Sequence, residues 1–200
     1  MGRKRRILQD QHPYHVTVRS HNKDPFPLPI DLLWSRISDQ LLFCSYAFHL
    51  EIHSFVLMTN HFHMIIRTPN SNLDSFMKYF MRNLSRDIGR ESHTINQKFG
   101  GRYFSAVIDN NQYYSSAYKY VYRNPVEAGL SDKVENYPYS TVLFPIGFAK
   151  CLFPVFDTHY ESVNDIERQL AWLNEQMSVY ENHELSKLFL RSASKGDSHL

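Results

Sequence analysis

His61 and His63 stand one residue apart in His61-Phe62-His63-Met64-Ile65-Ile66. On a strand, alternation sends Phe62, Met64 and Ile66 to one face and both imidazoles to the other. Two neighbouring imidazoles can share one metal ion. With 11 histidines in the chain, a chance His-x-His is the competing explanation. A second pair, Tyr120 and Asn124, is spaced four apart and falls on one face of a helix. A phenol aimed at a metal-bound phosphate is a nucleophile for phosphodiester cleavage, and the Asn124 amide oxygen could complete the ligand set. Five tyrosines lie between positions 113 and 122, most suited to packing, so spacing alone does not single out Tyr120. Lys78, Arg82, Arg86 and Arg90 recur at every fourth position, which fits either a solvated helix face or a stripe that follows a phosphate backbone.

The elements that must carry these residues are legible in outline. Positions 15–20 alternate as a strand, with Val16 and Val18 against Thr17 and Arg19. A Pro-rich loop over 24–29 precedes a helix from Asp31 to about Tyr46. Runs 51–58 and 61–68, joined by Thr59-Asn60, predict a hairpin. The clearest helix spans 72–91, with Leu73, Phe76, Met77, Phe80, Leu84 and Ile88 on its apolar face. A fourth strand over 102–109 and a Tyr-rich helix over 112–122 follow. Asn124-Pro125 suits an N-cap with a first helical proline, so a break is expected there. Strand, helix, strand, strand, helix, strand, helix predicts an α+β, ferredoxin-like four-stranded antiparallel sheet with helices on one face, the other face left free for a ligand. Beyond residue 144 an amphipathic helix over 163–180 is expected, then a frayed end over 192–200.

Composition narrows the class. The 200 residues are 42% hydrophobic and 21% charged, which fits a soluble globular domain and excludes disordered, collagen-like and coiled-coil chains. No apolar run approaches the roughly 20 residues of a membrane span, so no membrane partner is expected. The cluster Arg3-Lys4-Arg5-Arg6 has no apolar stretch after it to make a secretory signal. Cys44 and Cys151 are too few for a disulfide framework, and a reducing cytoplasm is the expected location. Net charge is +2, unevenly placed: residues 1–156 hold 18 Lys and Arg against 12 Asp and Glu, and residues 157–200 hold 4 against 8. The expected organisation is a basic arm (1–12), a working domain (13–143) and a C-terminal helical extension (144–200).

Met58-Thr59-Asn60-His61-Phe62-His63-Met64-Ile65-Ile66 resembles the metal-binding strand of the HUH endonucleases, named for His-hydrophobic-His. Gly101-Arg102-Tyr103 and Tyr120-Val121-Tyr122-Arg123-Asn124-Pro125-Val126-Glu127-Ala128-Gly129-Leu130 resemble the later motifs of single-tyrosine HUH transposases, in the REP-associated branch. The resemblance runs over about residues 13 to 143. It implies His61, His63 and Asn124 as ligands of Mg²⁺ or Mn²⁺, and Tyr120 as a nucleophile that leaves a 5′-phosphotyrosine and a free 3′-hydroxyl. It also implies a substrate of single-stranded DNA bearing a palindromic hairpin, handled by a monomer or a homodimer. Lys78, Arg82, Arg86, Arg102, Lys119 and Arg123 are the expected DNA contacts. Two other functions compete: a non-catalytic single-strand binder stacking bases on Phe62, Tyr103, Phe104 and the Tyr113–Tyr122 cluster, and a hydrolase of small phosphoesters. The latter needs a general base, and no acid on the His-x-His strand supplies one.

Overall fold

Alternation along β1 (Tyr14–Arg19) splits its side chains into Tyr14, Val16 and Val18 on one side and His15, Thr17 and Arg19 on the other. The computed structural model describes residues 8–144, 151–156 and 165–193, so most of the expected N-terminal arm and frayed end lies outside the described residues. β1 is central, antiparallel to both β3 (His61–Arg67) and β4 (Phe104–Val107). β2 (Glu51–Leu57) pairs with β3 through the predicted tight turn, closed by Met58 N–H to His61 O at 2.8 Å. The sheet order β2-β3-β1-β4 is the ferredoxin-like arrangement, and the fold class is the expected one.

On one sheet face Val16, Val18, Phe62, Met64 and Ile66 pack against α1 (Ile30–Phe48) and α2 (Leu73–Glu91). Leu33, Ile37 and Leu41 come from α1, and Phe76, Phe80 and Leu84 from α2. Each such side chain contributes roughly 1.5–3 kcal/mol on burial. Helix α1 starts with Pro29 at its cap, and Asp31 lies inside the first turn, where its negative charge complements the positive end of the helix dipole.

The opposite face is not free. Helix α3 (Asn111–Glu127) lays Ala117, Tyr118, Val121 and Tyr122 over Val56, Ile65 and Ala106. Those three sheet residues are apolar, so leaving that face open would keep a second core wet. The expected break at Asn124-Pro125 does not occur. Pro125 lacks the N–H that Val121 O would accept, and the Asn124 side chain turns back in its place, donating through Nδ2 to Tyr120 O (2.7 Å) and Val121 O (3.4 Å). The helix ends instead in a Schellman motif: Leu130 N–H to Pro125 O and Gly129 N–H to Val126 O, with Gly129 at φ 68°.

The single helix expected over 163–180 is two, α4 (Ile166–Asn174) and α5 (Val179–Ala193). Ser178 and Glu181 form a capping box that starts the second, Glu181 N–H to Ser178 Oγ and Ser178 N–H to Glu181 Oε2. Both helices pack on α3. Among the described residues no helix is long and apolar enough to cross a membrane.

Candidate active site

Strand pairing assembles the site. In the β1–β3 register Thr17 faces His63 and Arg19 faces His61, so His15, Thr17, Arg19, His61 and His63 share the sheet face beneath α3. His63 is buried. Its Nδ1 lies 3.1 Å from His15 Nε2 and 2.9 Å from Thr17 Oγ1. His61 is half-buried and donates through Nδ1 to Asn60 Oδ1 at 2.6 Å. Asn60 is oriented in turn by its Nδ2 donating to Lys23 O. The Tyr120 ring stands edge-on to His63 (centroids 5.4 Å apart) and to His15 (5.8 Å). His15 and His63 are themselves stacked at 5.3 Å.

Burial sets the charge states. It lowers the pKa of His15 to about 4, and burial with the nearby Arg19 charge lowers that of His61 to about 4. His63 is held well below the usual histidine range by burial, then by His15, His61 and Arg19. All three are therefore neutral near pH 7, the form that ligates metals. The Tyr120 phenol is raised by burial, against opposing effects of Arg19 and of a hydrogen bond from the Asn124 side chain.

A divalent ion fits these donors. His63 Nε2 is buried without a hydrogen-bond partner while Nδ1 is anchored, and His61 likewise uses Nδ1 on the protein. Such anchoring through one ring nitrogen is how ligating histidines are oriented. Among the described residues no three His, Cys, Asp or Glu side chains form a metal-holding group, so a third protein donor would be of another type. Asn124, one turn along α3 from Tyr120 and hydrogen-bonded to it, carries an amide oxygen of that other type.

The expected DNA contacts do not converge on this face. Lys78, Arg82 and Arg86 are exposed, but on α2, across the sheet from Tyr120. Arg102 pairs with Asp74 at 3.1 Å. Lys119 and Arg123 are corrections: both are buried beneath the C-terminal helices. Lys119 pairs with Glu181 at 3.2 Å and lies over the Trp172 ring, and Arg123 binds Glu127 and the carbonyls of Leu173 and Asn174. Burial would leave either charge uncompensated without those partners. Of the aromatic residues proposed for base stacking, Phe62, Tyr103, Tyr113, Tyr118 and Tyr122 are buried too.

His15, Thr17 and Arg19 are the residues missed in the sequence. Their alternation opposite Val16 and Val18 was visible, but their meeting with His61 and His63 depends on the pairing of strands more than 40 residues apart.

The family model for IS200-like transposases matches residues 9–124. A REP-associated tyrosine transposase solved bound to a REP hairpin has the same fold. It superposes with TM-score 0.65 at 19% identity over 90% of this chain and 93% of that one. A Deinococcus radiodurans R1 protein described as a transposase gives TM-score 0.42 at 14% identity, over 60% of this chain and 95% of that one. No curated protein matches the chain.

Proposed function

This chain belongs to the IS200-like transposase family, and from that premise we propose that it cleaves and rejoins single-stranded DNA through Tyr120. The observation that carries this is the packing of the Tyr120 ring against His63, whose buried Nε2 has no hydrogen-bond partner. Among five neighbouring tyrosines, this one packs on His15 and His63 and is hydrogen-bonded to Asn124. A hairpin-bearing substrate is supported by the solved relative of the same fold, which carries a REP hairpin.

His61, His63 and Asn124 would hold Mg²⁺ or Mn²⁺, which when bound polarises the scissile phosphate. Tyr120 Oη attacks phosphorus: the Oη–P bond forms and the P–O3′ bond breaks. The phenol proton ends on O3′, so the products are a 5′-phosphotyrosine diester and a 3′-hydroxyl. A diester is exchanged for a diester, so the reverse attack rejoins strands without ATP. Asn124 steadies the phenol through its hydrogen bond.

The test incubates the protein with labelled single-stranded hairpin DNA from its own gene's flanks, with Mn²⁺ or Mg²⁺. Denaturing gels should show a protein–DNA adduct that disappears in Tyr120→Phe. An adduct that persists in that variant assigns the nucleophile elsewhere.

A further inference from the structure

Arg19 ends β1 opposite His61, and strand alternation directs it to the face of His15 and Thr17, beneath Tyr120. It is exposed, and among the described residues its guanidinium makes no hydrogen bond or ion pair. Arg36, Arg67, Arg102 and Arg123, by contrast, are each engaged by a carboxylate. The β1–β3 register sets Arg19 directly across from His61, and its charge is felt at His61, His63 and Tyr120.

Its backbone is fixed on both sides. Ser20 N–H donates to Asn60 O at 2.8 Å, and Gly100 N–H donates to Arg19 O at 3.0 Å. The approach at Gly100 is close enough that a Cβ there would fall 2.9 Å from Ser20 O. The strand end is thus rigid while the side chain it presents is unpaired. A guanidinium stays protonated at any working pH, so this side chain brings a permanent positive charge to the site's sheet face. A planar guanidinium fork matches phosphate oxygens in a way an ammonium does not.

We propose that Arg19 contacts a non-bridging oxygen of the scissile phosphate and stabilises the charge that gathers there as Tyr120 attacks. The proposal rests on Tyr120 being the nucleophile. The bonds exchanged are those given above, Oη–P formed and P–O3′ broken, and Arg19 keeps its protons throughout. Preorganised charge at a reacting centre is worth about 10²–10³ in rate for one donor.

The test uses the full chain with hairpin DNA from its gene's flanks, comparing wild type, Arg19→Ala and Arg19→Lys. Thermal melts serve as the folding control, and Arg19→Lys carries the test should Arg19→Ala fail to fold. Adduct formation should slow about 100-fold or more in Arg19→Ala and recover only in part in Arg19→Lys. A methylphosphonate, stepped along the single-stranded flank, removes one phosphate charge at a time. At one position it should weaken wild-type binding while leaving Arg19→Ala unaffected. An adduct rate unchanged in Arg19→Ala, or methylphosphonate penalties equal in both proteins at every position, overturns the proposal. Coupling to one phosphate with no wild-type adduct would sink Tyr120 chemistry yet keep Arg19 as a phosphate contact.

Discussion

His63 shows how one residue carries the site. Its Nδ1 is engaged by His15 and Thr17, and its buried Nε2 has no hydrogen-bond partner. Thr17→Val removes one of those anchors with little change of shape. Mn²⁺ affinity, read by calorimetry, should fall about 10-fold or more, because outer hydrogen bonds orient the ligating ring. Unchanged affinity would mean that packing alone sets the ring. His61 is half-buried and held by one hydrogen bond to Asn60, so His61→Ala should lose metal-dependent cleavage while the circular-dichroism spectrum stays intact. Both histidines were legible because a two-residue period needs no tertiary information. His15 and Arg19 were not, since neither carries a local mark of where its strand pairs.

At the scale of elements, α3 joins the site to the C-terminal helices. Its end depends on Gly129 in the left-handed region, with open space around its Cβ position. Gly129→Ala therefore costs only backbone strain, about 1–2 kcal/mol, and should lower the melting temperature by a few degrees. Its other side depends on Lys119. Glu181→Ala would leave that buried ammonium with the Gln176 carbonyl as its remaining polar partner at 3.4 Å. Hydrogen exchange in α5 should then speed up by at least 10-fold, and exchange rates equal to wild type would show that apolar packing alone holds the helix. The periodicity of 163–180 hid the break at 175–178 because apolar spacing continued across it. The Ser178-x-x-Glu181 capping box was the sequence signal that could have placed the second helix.

The whole molecule places charge in separate layers. Lys78, Arg82 and Arg86 lie on the α2 side, Tyr120 on the other, with the sheet between. Replacing all three with Gln should reduce the salt slope of single-strand binding by about 2, at roughly 0.7 per phosphate contact. An unchanged slope returns the stripe to solvent. The acidic C-terminal region meets this charge pattern at Lys119, through Glu181. The buried histidines add a pH dependence. His15, His61 and the buried His53 of β2 have folded values near 4, below the unfolded value of about 6.5, so unfolding takes up protons between those limits. Their contribution is full above pH 6.5 and is lost as pH falls toward 4. Without metal, melting temperatures should fall steadily as pH drops through that window, and flat melting temperatures would mean that these histidines protonate in the fold.

Local pattern by itself determined the four strands, the helices that cover one face, and the two spacings, His61-x-His63 and Tyr120-x-x-x-Asn124. These follow from periods of two and 3.6 residues, which any window of the chain displays. Tertiary structure alone decided that α3 closes the second face over those histidines, that β1 brings His15, Thr17 and Arg19 beside them, and that Lys119 and Arg123 turn inward. Those outcomes depend on strand register and on which helix side finds an apolar partner, energies set by contacts between residues far apart in the chain.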